Sequence, residues 1–237
     1  MTDLGARIAR IGDRPGSTIR LVVAVGLAAV LVGVGAGVGV HQLTSNSSPA
    51  RGTSLPYSGM TDPQLDGQAT WAAGTRPAPP ITTLRDQTGR LFSLSSLRGR
   101  TVAVVFFDSH CHAECPLEGR ALAAAERSLP ASQRPVLVAV SVNPKDTPAS
   151  ARAAAREWGL SEAAPFHWLM GTRAELAPVW REYKIYVSPH LINGDIEHTE
   201  ALYLVDKHGD ERSAYLYPFA SKFVHADLRM LATGKRA

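Results

Sequence analysis

The sequence predicts an α/β sandwich with a mixed central sheet, preceded by one N-terminal transmembrane helix. Three observations indicate this architecture. Residues 21–40 form an unbroken apolar run, and strand-like and helix-like segments alternate from residue 81 onward. The last two strand-like segments flank a short turn that contains Gly209, which is typical of an antiparallel hairpin. A sheet that combines this hairpin with strands separated by helices is a mixed sheet.

The composition excludes several classes of protein. The chain has 237 residues, of which 45% are hydrophobic, so it can bury a core and is not disordered throughout. Two cysteines are too few for a disulfide-dense scaffold, or for a four-cysteine zinc or iron–sulfur site within one chain. The net charge of +4 is mild, and four arginines against two aspartates in residues 1–20 account for half of it. We therefore expect no nucleic-acid partner.

The apolar run of residues 21–40 predicts a membrane anchor. It contains no charged or polar side chain, and twenty helical residues span about 30 Å, the thickness of a bilayer core. A cleaved signal peptide is the alternative, but its apolar region is usually about 7–15 residues long and ends at a small-x-small site. Because four arginines precede the run, we expect residues 1–20 in the cytoplasm and the rest of this single-pass cell-membrane protein outside.

Residues 41–76 predict a flexible extracytoplasmic linker, since they are rich in Ser, Thr, Pro and Gly and lack periodicity. The folded domain is then residues 77–237. Two runs of β-branched and aromatic residues, 101–107 and 136–142, are typical of strands covered on both faces. The predicted strands are residues 81–84, 91–94, 101–107, 136–142, 201–205 and 212–217. The predicted helices are residues 117–129, 148–158, 175–183 and 221–231.

Both cysteines lie in one motif, Cys111-His112-Ala113-Glu114-Cys115-Pro116, which follows a buried strand where a helix should begin. A helix N-terminus carries partial positive charge and free N–H groups, and both stabilise a thiolate. The i, i+4 spacing of Cys111 and Cys115 places the two sulfurs on one face. Such a pair can form a disulfide, reduce one, or bind a soft metal ion. A purely structural disulfide is the alternative, but closing so short a loop contributes only about 2 kcal/mol.

A metal ion held by two sulfurs, such as Cu(I) or Zn²⁺, needs at least one further ligand. His110 and His112 lie beside the cysteines, but alternate neighbours point away from each other. His198 stands in a loop just before the strand predicted at residues 201–205. In a thioredoxin-like arrangement that loop faces the dithiol, which makes His198 the best remote candidate. A surface or capping role is the alternative for His198.

Two stretches together carry a resemblance to a known family. They are FFDSHCHAECP at residues 106–116 and EHTEALYLVD at residues 197–206, and they resemble the Sco/SenC family of copper chaperones. Supporting similarities are DQTG at 86–89, LRGR at 97–100 and FHWLMG at 166–171. The resemblance covers roughly residues 77–235 in order. It implies a thioredoxin-like fold for the domain at residues 77–237.

The resemblance also implies a function. Cys111, Cys115 and His198 would bind copper, as Cu(I) or Cu(II), for delivery to the binuclear copper site of cytochrome c oxidase subunit II. The family's usual motif is Cys-Pro-Asp-x-Cys-Pro, whereas His112 and Ala113 stand here in place of the proline and the aspartate. His112 could supply a fourth ligand, or its presence could loosen the loop by removing the rigidity of proline.

Two other functions fit the same residues. In a thiol–disulfide reductase, Cys111 or Cys115 would attack a client disulfide and keep the copper-ligand cysteines of that client reduced. In a copper or redox sensor, the same three ligands would signal to a partner. We expect a metallochaperone rather than an enzyme. Its expected partners are cytochrome c oxidase subunit II or another copper protein, other copper carriers or thiol reductants, and the membrane through residues 21–40.

Overall fold

The structure is a computed structural model and describes residues 61–192 and 195–235. The anchor predicted at residues 21–40 lies outside these ranges. Within them, none of the helices combines the length and the apolar character that crossing a membrane requires.

The described residues form eight strands and five helices. The strands are β1 (Ala69–Thr70), β2 (Val102–Phe107), β3 (Val136–Ser141), β4 (Phe166–Leu169), β5 (Val187–Ile192), β6 (Asp195–His198), β7 (Ala201–Val205) and β8 (Glu211–Leu216). The helices are α1 (Glu114–Arg127), α2 (Pro148–Glu157), α3 (Leu160–Ala163), α4 (Arg173–Glu182) and α5 (Ser221–Thr233). Short 3₁₀ helices cover Leu94–Leu97 and Ala131–Gln133.

Six strands form a mixed central sheet in the order β1-β8-β7-β2-β3-β4. β2, β3 and β4 run parallel to one another, whereas β7 pairs antiparallel with both β2 and β8. The predicted α/β sandwich with a mixed sheet is therefore confirmed, including the antiparallel pairing of its last two strands, β7 and β8. β5 and β6 pair with each other as a separate two-stranded hairpin.

Strand β2 lies between two hydrophobic cores, because its side chains alternate between the faces of the sheet. Ala103, Val105 and Phe107 pack into one core with side chains from α1, α2, α3 and α5. The intervening residues pack into a second core with α4 and apolar side chains from residues 81–94. All six residues of β2 are buried, as expected for a strand covered on both faces.

The two strands predicted at residues 81–84 and 91–94 are wrong. Arg85 makes only isolated bridges to Leu91 and Met170, and Leu94 begins a 3₁₀ helix. The turn between the two segments does form, and the Phe92 N–H donates across it to the Leu84 carbonyl oxygen, but the pairing ends where the 3₁₀ helix begins at Leu94. The apolar side chains of this segment still serve the second core.

The segment expected to be the linker, residues 41–76, contains a part that lies on the domain. β1 pairs antiparallel with β8, and the Arg212 side chain forms ion pairs with both Asp62 and Asp206. The part of the folded domain that the structure describes therefore begins before residue 77. The four predicted helices are present, with α1 starting at Glu114, earlier than expected. The strand β4 and the β5–β6 hairpin were not predicted.

Candidate functional site

The loop between β2 and α1 carries both cysteines. Asp108, which directly follows β2, is buried and holds the start of this loop, because its carboxylate accepts hydrogen bonds from the backbone N–H of His110 and the side-chain amide of Asn143. The backbone N–H of Cys111 donates to the Asp108 carbonyl oxygen over 3.1 Å. Cys111 is partly exposed, whereas Cys115 lies in the first turn of α1 and is fully buried. Both cysteines are free thiols.

The two sulfurs are hydrogen-bonded to each other and differ in acidity. The Cys115 thiol donates to the Cys111 sulfur, as do the backbone N–H groups of Ala113 and Cys115, and these bonds place the pKa of Cys111 well below its usual value. The same hydrogen bond, together with burial, raises the pKa of Cys115. The lowered pKa of Cys111 therefore comes first from the Cys115 thiol and only in part from N–H groups at the start of α1, so the predicted stabilisation of a thiolate holds for Cys111 and not for Cys115.

His198 faces Cys115 from the other side. It is the last residue of β6, so the expectation that it lies in a loop is wrong. Its Nε2 lies 3.4 Å from the Cys115 sulfur, and its Nδ1 lies 3.1 Å from the carbonyl oxygen of Thr199. Because a carbonyl oxygen only accepts, Nδ1 carries the proton and Nε2 presents its lone pair to Cys115. Burial lowers the pKa of His198, which keeps the ring neutral.

Glu200 lies at the same place, whereas the Cys111 sulfur lies outside the group that Cys115, His198 and Glu200 form. One carboxylate oxygen of Glu200, the Cys115 sulfur and a ring nitrogen of His198 all lie within 4.8 Å of one another. Burial raises the pKa of Glu200 to about 7, helped by the charges of Glu114 and Cys111. Sequence reasoning did not select Glu200. The available indication was an acidic residue two positions after a candidate histidine, in the short connection to β7.

Comparison with a sequence model of the SCO1/SenC family gives a match over residues 81–233, which is most of the chain. The chain belongs to the SCO1/SenC family. The match includes the Cys111–Cys115 motif and His198, so the resemblance read from those residues is confirmed at the level of the family. Comparison with curated protein sequences found no match.

Solved structures of Sco proteins resemble this SCO1/SenC chain. Bradyrhizobium japonicum ScoI with copper bound is 26% identical, and the alignment covers 65% of this chain and 99% of that one with a TM-score of 0.53. Arabidopsis thaliana ScoI with copper bound is 21% identical, with coverages of 67% and 99% and a TM-score of 0.56. BsSco, a Sco cytochrome c oxidase assembly protein with a disulfide switch, is 22% identical, with coverages of 68% and 95% and a TM-score of 0.55. The last two similarities concern the fold.

His112, where this SCO1/SenC chain departs from the usual motif, lies apart from the sulfur and imidazole groups. Its side chain is 89% exposed, and its Nδ1 lies 3.6 Å from a carboxylate oxygen of Asp195 in β6. Its backbone N–H also donates to that oxygen. His112 thus connects the cysteine loop to the β5–β6 hairpin, and the described cluster around Cys115 and His198 does not include it.

The donors present fit a copper ion. Two sulfurs and one imidazole nitrogen are ligands that copper accepts, and the hydrogen bond from Nδ1 to Thr199 orients the imidazole as outer partners of metal ligands do. A second cluster, Asp108, His110 and Asp146, lies in the same loop region. Its carboxylates already accept hydrogen bonds from Asn143, Ser109 and Ser141, so they serve to fix the loop.

Proposed function

We propose that this chain is a membrane-anchored, extracytoplasmic copper-binding protein that delivers copper to the binuclear site of cytochrome c oxidase during assembly. The observation that carries this proposal is the 3.4 Å approach of His198 Nε2 to the sulfur of Cys115, which is hydrogen-bonded to Cys111. Copper in Bradyrhizobium japonicum ScoI, the relative at 26% identity, supports it. The description of BsSco as a member of a family of cytochrome c oxidase assembly proteins supports the oxidase as the client.

Copper would be held as cargo by Cys111, Cys115 and His198. Thiolates and a neutral imidazole suit Cu(I), which accepts three soft donors. Cys111 already favours the thiolate, whereas Cys115 is held as a thiol, so copper loading has to release the Cys115 proton. A disulfide between the cysteines would remove both sulfur ligands, and therefore only the reduced protein can carry the metal.

The membrane anchor of the proposal is the apolar run of residues 21–40, with the arginines before it on the cytoplasmic side. An anchored carrier stays near a client that is itself in the membrane.

A second candidate function is reduction of a client disulfide. The observation that favours it is the lowered pKa of Cys111 beside a second thiol. The Cys111 thiolate would attack one sulfur of the client disulfide, and the other client sulfur would leave as a thiolate. Cys115, after losing its proton, would then attack Cys111 and release the second client thiol. The client gains two electrons, and this protein is left with a Cys111–Cys115 disulfide that an external thiol reductant must reduce.

One substitution separates the two candidates, because His198 can bind copper but takes no part in forming a disulfide. His198→Ala should weaken copper binding at least about tenfold, the scale on which even outer partners of metal ligands act, and should leave the dithiol able to cycle. Copper affinity is measured by competition with a chelator, and the cellular measurement is cytochrome c oxidase activity at low copper. His190→Ala, an exposed histidine on β5, is the matched control.

The outcomes are distinct. If the protein delivers copper, His198→Ala loses oxidase activity as Cys111→Ala and Cys115→Ala do, and added copper partly restores it. If it acts as a reductase, His198→Ala behaves like wild type and like His190→Ala while both cysteine variants fail. Full oxidase activity of His198→Ala at low copper would contradict the delivery function.

A further inference from the structure

We propose that the Glu200 carboxylate is a fourth ligand to copper, which joins Cys111, Cys115 and His198 when the metal is Cu(II) and not when it is Cu(I). This inference rests on the proposed copper-binding function and deepens it. It assigns to one acidic side chain the role of distinguishing the two oxidation states of the cargo.

The position of Glu200 carries the inference. One carboxylate oxygen of Glu200, the Cys115 sulfur and a ring nitrogen of His198 all lie within 4.8 Å of one another. Groups at this spacing can reach one ion. Among the described residues, no hydrogen bond or ion pair engages this carboxylate, so its oxygens are available. Glu197 lines the same groove but is exposed and lies outside the cluster.

The backbone holds Glu200 in place from both sides. Its carbonyl oxygen accepts from the backbone N–H of Tyr217 over 3.0 Å. The preceding residue, Thr199, is bound to Tyr186, because the Thr199 backbone N–H donates to the Tyr186 carbonyl oxygen and the Tyr186 backbone N–H donates to the Thr199 hydroxyl. The carboxylate is therefore attached to a fixed segment that also holds His198.

The charges around Glu200 favour a cation with more than one positive charge. Glu114, Asp195 and Glu197 line the same groove as Glu200, and no Lys or Arg is among the described residues that line it. A bound Cu(II) ion would add two positive charges to this group of acids, whereas Cu(I) would add one. The additional charge of Cu(II) gives it the stronger attraction to the carboxylate.

The chemistry of the donors gives the same preference. Carboxylate oxygen is a hard ligand, and thiolates with imidazole are the donors that Cu(I) prefers. Cu(II) favours tetragonal sites with nitrogen and oxygen ligands, so a fourth donor is useful to Cu(II) and adds little for Cu(I). Removing the Glu200 charge should therefore lower the affinity for Cu(II) selectively.

The experiment compares variants of the full chain, purified in detergent and loaded with one equivalent of Cu(II), or with Cu(I) under anaerobic reducing conditions. Glu200→Gln removes the negative charge at nearly constant side-chain shape. Glu200→Asp keeps the charge, but its shorter side chain moves the carboxylate away from Cys115 and His198. Glu197→Gln is the matched control. Electron paramagnetic resonance of the Cu(II) form reports the ligand set, and competition with chelators gives both affinities.

We expect Glu200→Gln to shift the parallel g value and copper hyperfine coupling. It should also lower the affinity for Cu(II) at least about tenfold, with the affinity for Cu(I) changed less than about threefold. Retained Cu(I) binding shows that the variant is folded, and Glu200→Asp, with a shifted spectrum of its own, provides the test if Glu200→Gln does not fold.

Spectra and affinities of both Glu200 variants that match wild type and Glu197→Gln would overturn the role of Glu200 and leave copper binding intact. Failure of the wild type to bind either form of copper would overturn the proposed function, and this inference with it.

Discussion

Glu126 is a fully buried acid on α1, and neither of its carboxylate oxygens has a hydrogen-bond partner among the described residues. Burial raises its pKa from 4.5 to about 8, an effect that the nearby charges of Arg127 and Arg134 oppose. Between these two values the folded chain holds a proton that the unfolded chain has lost. The stability that depends on this proton is complete below pH 4.5 and is lost as the pH rises to about 8.

We expect Glu126→Gln to remove this pH dependence. Each pKa unit corresponds to about 1.4 kcal/mol. The variant should therefore gain stability over wild type as the pH rises, and the difference between their free energies of unfolding should grow by on the order of 4 kcal/mol from pH 4.5 to pH 8. Urea unfolding at a series of pH values measures the difference. Glu157→Gln, on the exposed face of α2, is the control. A variant whose advantage over wild type is the same at every pH would contradict this explanation.

The residues of the candidate site differ in how far the sequence could identify them. Cys111 and Cys115 share a local motif at a strand–helix junction, so their neighbourhood follows from chain connectivity. His198 was selected from its place before β7 and from the family resemblance, because its distance from Cys115 is a property of the folded chain. Glu200 could not be found in this way, since the direction of its side chain depends on the connection between β6 and β7.

At the scale of elements, residues 61–76 act as a strap along β8. β1 pairs with β8, and the Arg76 side chain bonds to the Glu211 carboxylate. Glu211 is fully buried, and its second oxygen has no hydrogen-bond partner among the described residues. Burial raises the pKa of Glu211, and Arg76 opposes that effect. Arg76, at the end of the strap, therefore supplies the positive charge that pairs with the buried Glu211 carboxylate among the described residues.

Removal of that charge should destabilise the domain. We expect Arg76→Ala to lower the free energy of unfolding by about 2 kcal/mol, less than for a fully buried pair because the Arg76 side chain is 38% exposed. Urea unfolding at pH 7 measures the loss, and Arg100→Ala, an exposed arginine outside the described ion pairs, is the control. Glu211→Gln should restore part of the stability of Arg76→Ala, since it removes the unpaired charge. Equal losses for Arg76→Ala and Arg100→Ala would rule out this role.

The elements that the sequence did not predict have physical reasons. β5 contains Pro189 and leaves most of its side chains exposed, so it lacks the apolar run or alternation that indicates a strand. Residues 81–94 do carry apolar side chains at strand-like spacing, but their pairing is limited to isolated bridges of Arg85, and a 3₁₀ helix begins at Leu94. In contrast, β2 and β3 are continuous apolar runs, and both were predicted within one residue of their observed ends.

At the scale of the whole molecule, the proposed topology has the N-terminus in the cytoplasm and the domain outside. A fluorescent protein that matures only in the cytoplasm, fused after Ala237, should therefore remain dark. A control fusion that replaces the N-terminal arginines Arg7, Arg10, Arg14 and Arg20 by Ser should become partly fluorescent, because the charge bias that orients the segment is reduced. Bright fluorescence of the wild-type fusion would refute the topology.

The overall architecture was the most predictable level of the structure. An order of strands and helices limits the arrangements that a sheet can adopt, and the final hairpin fixes its antiparallel end. The order of strands across the sheet, with β2 between β7 and β3, depends on long-range packing, and no local pattern in the sequence predicts it.

The two halves of the candidate site come from segments that are far apart in the chain, as Cys115 and His198 are separated by 83 positions. An ion that holds both therefore closes a large loop and restricts the unfolded chain in the way that a cross-link does. Release of the cargo removes that cross-link. The ion stabilises the folded carrier by the free energy with which it binds, so a client that takes the ion has to bind it more tightly than the carrier does.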